Sequence, residues 1–419
     1  MTLISNLQIS NTENFDINYE VVERKGLGHP DTLCDILAEK ISASYSRYCL
    51  ENFGCVLRHM VDKLTILGGV SEVRFGSGEI IKPFRILLNG RFTSKVENQI
   101  IPYLDIANHV IASYLKTIFI QTKNIHTIYE IIDNTHTSPG PGVVFNENKS
   151  NNERQHFFDA PTIDFLQNHG NANRANDTST VVAYTTNSIV ERLAIKIEQY
   201  LNSQELKNLY QYIGSDIKVM ICRNYNNLKI TACVPLISQY VKSKNDYKDK
   251  LEVIKKLITD LVTEETESKY DFEIYLNTRD NFENDDLYLT VTGSATESGD
   301  EGVVGRGNRY NGIIPFNRHV TLEACCGKNP IYHVGKIYMA VAKKISEQLF
   351  SDLLISNVVY ISSQMGASLN KPNYILIELD KNHSIDANTR TRITEICENN
   401  FAHISQISLE IINETLKLY

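Results

Sequence analysis

The chain has 419 residues, of which 42% are hydrophobic, so it is long enough to bury a large core and to form two or three domains. Its 42 basic and 50 acidic residues give a formal net charge of −8, which argues against a general affinity for nucleic acid or for anionic membranes. Residues 1–17 lack the features of a secretory signal and no stretch reaches the roughly 20 apolar residues that span a bilayer, so we expect a cytoplasmic protein.

The first half of the sequence predicts a long helix followed by a meander of strands. Apolar residues at helical spacing begin at Pro30 and end near Gly54. Beyond them we predict strands at 61–67 and 80–88, a helix at 96–119, a strand at 125–132 and a helix at 188–201 with a serine cap. Residues 134–176 carry little apolar periodicity, which favours a mobile loop.

The second half continues to alternate helix and strand. The predicted strands are 217–222, 228–234, 272–276 and 287–291, and the predicted helices are 247–264, 330–350 and 388–416. This pattern indicates an α+β protein with much antiparallel sheet.

The segment 299–309 combines glycines, acids and two arginines, Arg306 and Arg309. Such a composition is typical of a polyanion site, because glycine backbone approaches phosphate closely and guanidinium groups bind it bidentately. Lys328 and Lys336 follow it and add positive charge. The spacing matches neither a Walker A motif nor a dinucleotide-binding motif, so we expect a different fold.

A second compact cluster lies near the N-terminus. Gly28-His29-Pro30-Asp31 opens the first predicted helix, and Asp35 follows one turn later. Histidine titrates near neutrality and the two acids are candidate metal ligands. Together with the glycine-rich segment, these residues suggest chemistry on a nucleoside triphosphate.

Each of these features also has a purely structural interpretation. His29 could equally be a helix-capping residue, and the two arginines of 299–309 could equally be solvated side chains on an exposed turn. Asp177 is typical of an Asx turn, and Lys218 of the solvent face of a strand. The eight cysteines include no C-x-x-C pair, so we expect reduced thiols, with Cys325 and Cys326 in the core.

Nine sequence blocks in a fixed order go further than any single motif. They are residues 23–31, 67–69, 87–91, 175–179, 216–220, 292–294, 299–312, 327–330 and 333–338. In this order they resemble the S-adenosylmethionine synthetase (methionine adenosyltransferase) family, in its archaeal type.

The resemblance implies three α/β-sandwich domains of α+β class, related by a pseudo-threefold axis and discontinuous in sequence. The implied domains are residues 1–27 plus 188–295, 28–150 plus 296–337 with much of the ATP site, and 151–187 plus 338–419. It also implies a homodimer or a dimer of dimers, with active sites at the interface between subunits.

The implied reaction is attack of the methionine sulfur on C5′ of ATP, followed by hydrolysis of the displaced triphosphate to pyrophosphate and phosphate. Mg²⁺, two ions per site, would serve the phosphates, and a monovalent cation such as K⁺ would assist. The implied roles are a hydrogen bond from His29 near the leaving oxygen, Mg²⁺ binding by Asp31, triphosphate binding by Lys218, Arg306 and Lys328 with Arg309 or Lys336, and orientation of methionine or adenosine by Asp177 and Asp300.

The sequence departs from the family pattern in places that bear on substrate choice. Arg58 stands where the archaeal enzymes have the first histidine of a pair. Residues 171–174 are more polar than the family's segment before the 175–179 block, and the segment 141–169 is longer than in the family pattern. We therefore keep two alternatives to methionine adenosyltransferase: a related ATP-dependent adenosyltransferase or triphosphatase with another nucleophile, and a non-catalytic ATP-binding regulatory homologue.

Overall fold

The computed structural model describes residues 6–13, 18–119, 128–133, 159–160, 162, 164 and 174–419. Its helices are α1 (Pro30–Phe53), α2 (Tyr103–Ile118), α3 (Ile189–Leu201), α4 (Gln204–Leu209), α5 (Lys244–Glu265), α6 (Val334–Leu353), α7 (Ala387–Ala402) and α8 (Ile404–Ile412). Its strands are β1 (Leu7–Thr12), β2 (Tyr19–Lys25), β3 (His59–Met60), β4 (Thr65–Leu67), β5 (Val70–Arg74), β6 (Ser77–Lys82), β7 (Arg85–Phe92), β8 (Lys95–Val96), β9 (Gln99–Ile100), β10 (Ile128–Asp133), β11 (Asp159–Ala160), β12 (Thr180–Thr185), β13 (Lys218–Asn224), β14 (Asn227–Cys233), β15 (Leu236–Ile237), β16 (Asp271–Leu276), β17 (Leu289–Thr290), β18 (Gly302–Val303), β19 (Ile314–Pro315), β20 (Asn357–Ser362) and β21 (Tyr374–Asp380).

Helix α1 forms where the sequence predicts it, because both ends carry strong signals. Pro30 takes the first turn, where its missing N–H is no loss, and the side chain of His29 caps the helix. Gly54 ends it in a left-handed conformation, with φ of 69°, and donates its N–H to the Leu50 carbonyl.

Three principal sheets organise the chain. The first has the strand order β16-β14-β13-β2-β19 and is covered by α3 and α5. The second has the order β10-β7-β4-β18, with β3 paired to β7, and packs against α1 and α2. The third has the order β1-β21-β20-β12 and packs against α6, with α7 and α8 alongside. Each sheet and its helices enclose a separate hydrophobic core.

The same pairing order recurs in all three sheets. From one side of each sheet the contacts are antiparallel, antiparallel and then parallel: β2/β13/β14/β16, β18/β4/β7/β10 and β12/β20/β21/β1. The antiparallel end strand also leads into the helix of another sheet, since β2 leads to α1, β12 to α3 and β18 to α6. The molecule is therefore a cyclic arrangement of three similar α+β units, as predicted.

Strand pairing differs from the predicted domain grouping at three strands. β11, placed in the third domain, pairs with β8 of the second, and β19, placed in the second domain, pairs with β2 of the first sheet. The prediction grouped residues 1–27 with 188–295, but β1 pairs in parallel with β21 and so belongs to the third sheet. In the first two sheets the parallel edge strand, β16 or β10, follows the helix of its own unit. In the third sheet the N-terminal strand takes that position.

Several element bounds also differ from the predictions. Helix α2 begins at Tyr103 rather than 96, because Pro102 precedes it and residues 95–100 form the β8–β9 hairpin. The predicted helix 388–416 is two helices that meet at His403. Most of the predicted loop 134–176 lies outside the described residues. Within the described ranges, no helix is both long enough and apolar enough to cross a bilayer.

Candidate active site

The first candidate cluster lies at the N-terminus of α1, where β2 leads into the helix. His29 is the N-cap, and its Nδ1 accepts the N–H of Asp31 at 3.2 Å. The capping role that the sequence left open is thus present. It uses only Nδ1, and Nε2 forms no hydrogen bond with any residue that the structure describes, so the same ring retains an atom for a ligand.

Two lysines on adjacent strands surround this histidine. Lys25 and Lys218 are register partners on β2 and β13. Lys25 Nζ donates to Asp31 Oδ2 at 2.9 Å, and Lys218 Nζ lies 3.2 Å from Glu23 Oε1. Burial, with the positive charge of both lysines, lowers the pKa of His29 to about 4. At neutral pH His29 is therefore an uncharged hydrogen-bonding group.

A cleft of about 750 Å³ opens beside these residues. His29, Lys218 and Asp300 line it, together with residues of the 277–290 segment. This volume is in the usual range for small-molecule sites. The structure thus brings together three residues that the sequence singled out from positions far apart in the chain.

Asp216 lies in the wall of the same cleft and was not a predicted site residue. Its Oδ2 accepts the N–H of Ala295 at 3.0 Å, and burial raises the pKa of its carboxyl group to about 7. The signal that points to it is its spacing, since residues two apart on an extended segment share a face and Lys218 follows at that spacing. Asp216 fixes the turn at Ala295, which precedes Asp300.

The glycine-rich segment rests directly on the start of α1. Asp31 Oδ1 accepts the N–H of Val303 at 3.1 Å, and Asp35 Oδ1 accepts the N–H of Gly305 at 2.8 Å. A Cβ at Gly302 would lie 2.3 Å from the Pro30 backbone, which explains the need for glycine there. These backbone donors bind carboxylates of the protein itself. The expectation that they would bind phosphate is therefore not met, and the phosphate-binding capacity of the segment lies in its side chains.

Arg306 and Arg309 differ in what they contact. Arg306 is exposed, and its guanidinium makes no hydrogen bond or ion pair within the part of the chain that the structure describes. Its carbonyl accepts a hydrogen bond from Lys25 Nζ at 2.7 Å, which places it next to the first cluster. Arg309 instead donates to the carbonyls of Gly305 and Gly307, at 3.0 and 3.2 Å. Both bonds come from Nη2, so this end of Arg309 is directed to the protein backbone and not to the ligand that the sequence predicted for it.

The second cluster lies at the N-terminus of α6. His333 caps that helix as His29 caps α1, with Nδ1 accepting the N–H of Gly335 at 3.3 Å. Lys328, whose side chain is buried, is paired with Glu323. Burial and the charge of Lys328 lower the pKa of His333 to about 4. Helices α1 and α6 thus each begin with a neutral capping histidine that lies near a lysine.

Glu323 connects this cluster to Asp177. Its Oε2 accepts a hydrogen bond from Ser179 Oγ at 2.8 Å, and its Oε1 contacts Lys328. Asp177 is exposed two residues before Ser179, and its Oδ1 accepts the N–H of the next residue, Thr178. An Asx turn would use the N–H of Ser179, which instead donates to Ser363 Oγ, so the Asx turn that the sequence left open is not formed. Glu323 was not a predicted site residue, and no spacing in the sequence indicates it, since it meets Ser179 only through the fold.

Lys336 does not lie where the predicted substrate-binding role would require. It is fully buried, and its Nζ donates to both carboxylate oxygens of Glu39, at 2.9 and 2.7 Å. An ammonium group enclosed in this way has no access to a substrate. Lys336 joins α6 to α1 instead of binding ATP or methionine.

The two clusters are separated within one chain. Ser42, whose hydroxyl donates to the Lys328 carbonyl at 3.1 Å, is eleven residues beyond Asp31 on α1, about 16 Å of helix. The first cluster contains His29, Asp31, Lys218, Asp300 and Arg306, and the second contains Asp177 and Lys328.

The sequence and the fold both match known proteins. The model of the S-adenosylmethionine synthetase (AdoMet synthetase) family matches residues 3–153 and 160–415. The chain belongs to this family. The S-adenosylmethionine synthase of Pyrobaculum aerophilum is 36% identical over 417 residues, 96% of each chain, and that of Pyrococcus furiosus is 34% identical over 406 residues, 96% of this chain and 95% of that one.

Two further relatives extend the comparison beyond archaea. The probable S-adenosylmethionine synthase of Aquifex aeolicus is 34% identical over 411 residues, 97% of this chain and 94% of that one. The solved structure of an unusual S-adenosylmethionine synthetase from Campylobacter jejuni has a TM-score of 0.56 at 12% identity, covering 94% of this chain and 90% of that one, and supports the fold alone. The predicted AdoMet synthetase family and its activity, methionine adenosyltransferase, are confirmed.

Departures from the AdoMet synthetase pattern prove to be packing features where the structure describes them. Arg58 stacks on the ring of Tyr332 at 3.9 Å, and His59 is buried with its ring bonded to Ser42 Oγ at 2.8 Å. Cys325 and Cys326 are buried free thiols, as predicted. Residues 141–158 lie outside the described ranges.

AdoMet synthetases depend on metal ions, and the first cluster has a limited set of donors for one. Among the described residues, no group of three or more histidine, cysteine or acidic side chains is placed to hold a metal. Asp31 has one contact on each oxygen, and Asp300 is exposed in the cleft. One or two carboxylates fit Mg²⁺, which takes most of its ligands from water and from substrate phosphates.

Proposed function

We propose that this AdoMet synthetase converts ATP, L-methionine and water into S-adenosylmethionine, phosphate and pyrophosphate in the cleft beside α1. The observation that carries the proposal is the meeting of neutral His29 with Lys218 and Asp300 in one cleft. The displaced triphosphate is a highly charged leaving group, so fixed positive charge placed where negative charge develops favours its departure.

The side chains divide this task by their charge. A thioether sulfur carries no proton, so its attack on C5′ needs no general base. Neutral His29 offers Nε2 for a hydrogen bond near the oxygen between ribose and triphosphate, while Lys218 and Arg306 bind the triphosphate. The other cations of the cluster are already paired with acids, Lys25 with Asp31 and Lys218 with Glu23. Arg306 therefore brings positive charge that no acid of this cluster offsets.

We assign metal binding to Asp31. Mg²⁺, two ions per site, would neutralise phosphate charge when bound. K⁺ is the monovalent cation that we expect to assist. The protein's own part is to hold Asp31 in place through Lys25 and the Val303 N–H.

The separation of the two clusters supports a homodimer or a dimer of dimers. In such an assembly, Lys328 and Asp177 of one subunit would face the first cluster of its partner and complete the site. Methionine or adenosine would then be oriented by Asp177 and Asp300. We assign no nucleic-acid or membrane partner, and we place the enzyme in the cytoplasm.

The decisive experiment is a mass-spectrometric and phosphate assay of the purified protein with ATP and Mg²⁺, with and without L-methionine. We expect S-adenosylmethionine, pyrophosphate and phosphate in equal amounts, all dependent on methionine. Phosphate release without methionine would favour a triphosphatase. ATP binding with no product would favour a non-catalytic homologue.

A pair of arginine variants tests the role of the site. Arg306→Ala should lower kcat by about 10²-fold if the guanidinium stabilises charge that develops in the transition state. Arg74→Ala, which removes an exposed arginine from the β5–β6 hairpin, should leave kcat unchanged. A higher KM with unchanged kcat in Arg306→Ala would show uniform binding and contradict the proposal.

A further inference from the structure

The backbone around Arg306 is held from both sides by charged side chains. On one side, Asp35 accepts the N–H of Gly305 at 2.8 Å, and the N–H of Gly307 also points to this carboxylate. On the other side, Arg309 donates to the carbonyls of Gly305 and Gly307. Every one of these contacts is to a glycine that flanks Arg306.

Asp35 makes close contact with this segment. It is 3% exposed, and a Cβ at Gly307 would lie 2.1 Å from its Oδ2. Gly305 has a φ of 90°, a conformation that side chains other than glycine rarely adopt. The segment is therefore built to fit against the Asp35 carboxylate, and no larger residue fits at either glycine.

A third charged group completes the restraint. Lys25 Nζ donates to the carbonyl of Arg306 itself at 2.7 Å, and the same Nζ holds Asp31. The backbone from Gly305 to Gly307 is thus bound to one acid and two bases, while the guanidinium of Arg306 is exposed and has no partner among the described residues. A long flexible side chain gains directional precision only if its own backbone is fixed.

We propose that Asp35 and Arg309 are positioning residues for Arg306, which they hold so that its guanidinium meets the displaced triphosphate. This inference rests on the role proposed above for Arg306. It assigns Arg309 to the support of the site instead of to a substrate, and it gives Asp35 a function that metal binding does not require.

The arrangement also explains why one residue is an acid and the other a base. The two glycines are buried or partly buried, and each of their two N–H groups and two carbonyls needs a partner. A carboxylate accepts from two donors, and one guanidinium nitrogen of Arg309, Nη2, donates to both carbonyls. A lysine nitrogen lies one bond nearer to the backbone and lacks the rigid planar group that fixes this position. The acid and the base additionally attract one another across the segment.

The test is a double-mutant cycle on kcat of S-adenosylmethionine formation in the full-length enzyme. Its members are Asp35→Asn, Arg306→Ala and the double variant. Asparagine keeps the size of the side chain and one acceptor, so the fold should persist. We expect Asp35→Asn to lower kcat about 10-fold with the KM for ATP within about twofold, and the double variant to stay within about threefold of Arg306→Ala alone.

Two further variants separate positioning from loss of stability. Arg309→Lys keeps the charge and should lower kcat about 10-fold, again with no added effect once Arg306 is absent. Glu191→Gln is the matched control, because Glu191 is a buried acid that lies 2.9 Å from Arg318, outside both clusters. It should lower the melting temperature and leave kcat within about twofold.

The outcomes distinguish this inference from the proposed function. A double variant that loses about 10³-fold, the product of the single effects, would mean that Asp35 acts independently of Arg306 and would overturn the inference alone. A full kcat in Arg306→Ala would overturn both. Equal melting losses in Asp35→Asn and Glu191→Gln, with kcat unchanged in each, would make Asp35 a purely structural residue.

Discussion

The buried Lys336–Glu39 pair gives a prediction whose size follows from its geometry. Lys336 is fully buried and contacts both Glu39 oxygens at 2.7 and 2.9 Å, and Glu39 also accepts the Gly327 N–H at 3.0 Å. Lys336→Met keeps the bulk of the side chain but leaves a buried carboxylate without its counterion, which costs about 3–5 kcal/mol. At about 2–4 °C per kcal/mol for a unit of this size, the melting temperature should fall by roughly 6–20 °C.

The assay is thermal unfolding followed by circular dichroism, with ATP binding measured on each variant. Lys344→Met is the control on the same helix, since its pair with Glu410 is partly exposed and is worth at most about 1 kcal/mol. Adding Glu39→Gln to Lys336→Met should restore part of the lost stability, because the unpaired charge is removed. A parent-like melting temperature with weakened ATP binding in Lys336→Met would refute this reasoning and restore Lys336 as a ligand.

Three further outcomes test other features. Lys218→Ala should lower kcat by about 10²-fold, whereas Lys229→Ala on the exposed face of β14 should not change it. Burial lowers the pKa of His59 from 6.5 to about 3, so the stability that its neutral ring provides is complete above pH 6.5 and is lost as the pH falls toward 3. Between pH 7 and pH 5 the parent should therefore lose about 2 kcal/mol more than His59→Asn in denaturant titrations, at about 1.4 kcal/mol per pH unit below 6.5. Gly307→Ala should destabilise the protein by about 1–3 kcal/mol and lower kcat, since the new Cβ would lie 2.1 Å from Asp35 Oδ2; parent-like values for both would contradict the described packing.

The sequence predicted those parts of the site that are local. Gly28-His29-Pro30-Asp31 contains its own cap and its own first helical turn, so the position of His29 follows from neighbouring residues alone. The alternation of apolar residues likewise predicted most strands and the α+β class.

Local sequence patterns could not predict the contacts between distant segments of the chain. Asp35 and Gly305 are 270 residues apart, and Lys336 and Glu39 are 297 apart. No local sequence pattern therefore shows which arginine or lysine binds other groups of the protein instead of a ligand. Arg309 and Lys336 are both of a residue type that binds phosphate, but in the structure each binds other groups of the protein. Long-range pairing also decides that β1 joins the third sheet.

Because the three units are connected cyclically, no sheet can be completed by one continuous stretch of the chain. Each stretch that builds most of one sheet, such as residues 30–133 for the second, lacks an end strand that a remote segment supplies, here β18. A fragment with those residues alone would expose an open edge, which invites self-association. His29, to which we assign a role in the reaction, lies just after such a strand, β2, so the proposed reaction centre is assembled only when separate parts of the polypeptide have exchanged strands. Maturation of the fold and maturation of the active centre are one event.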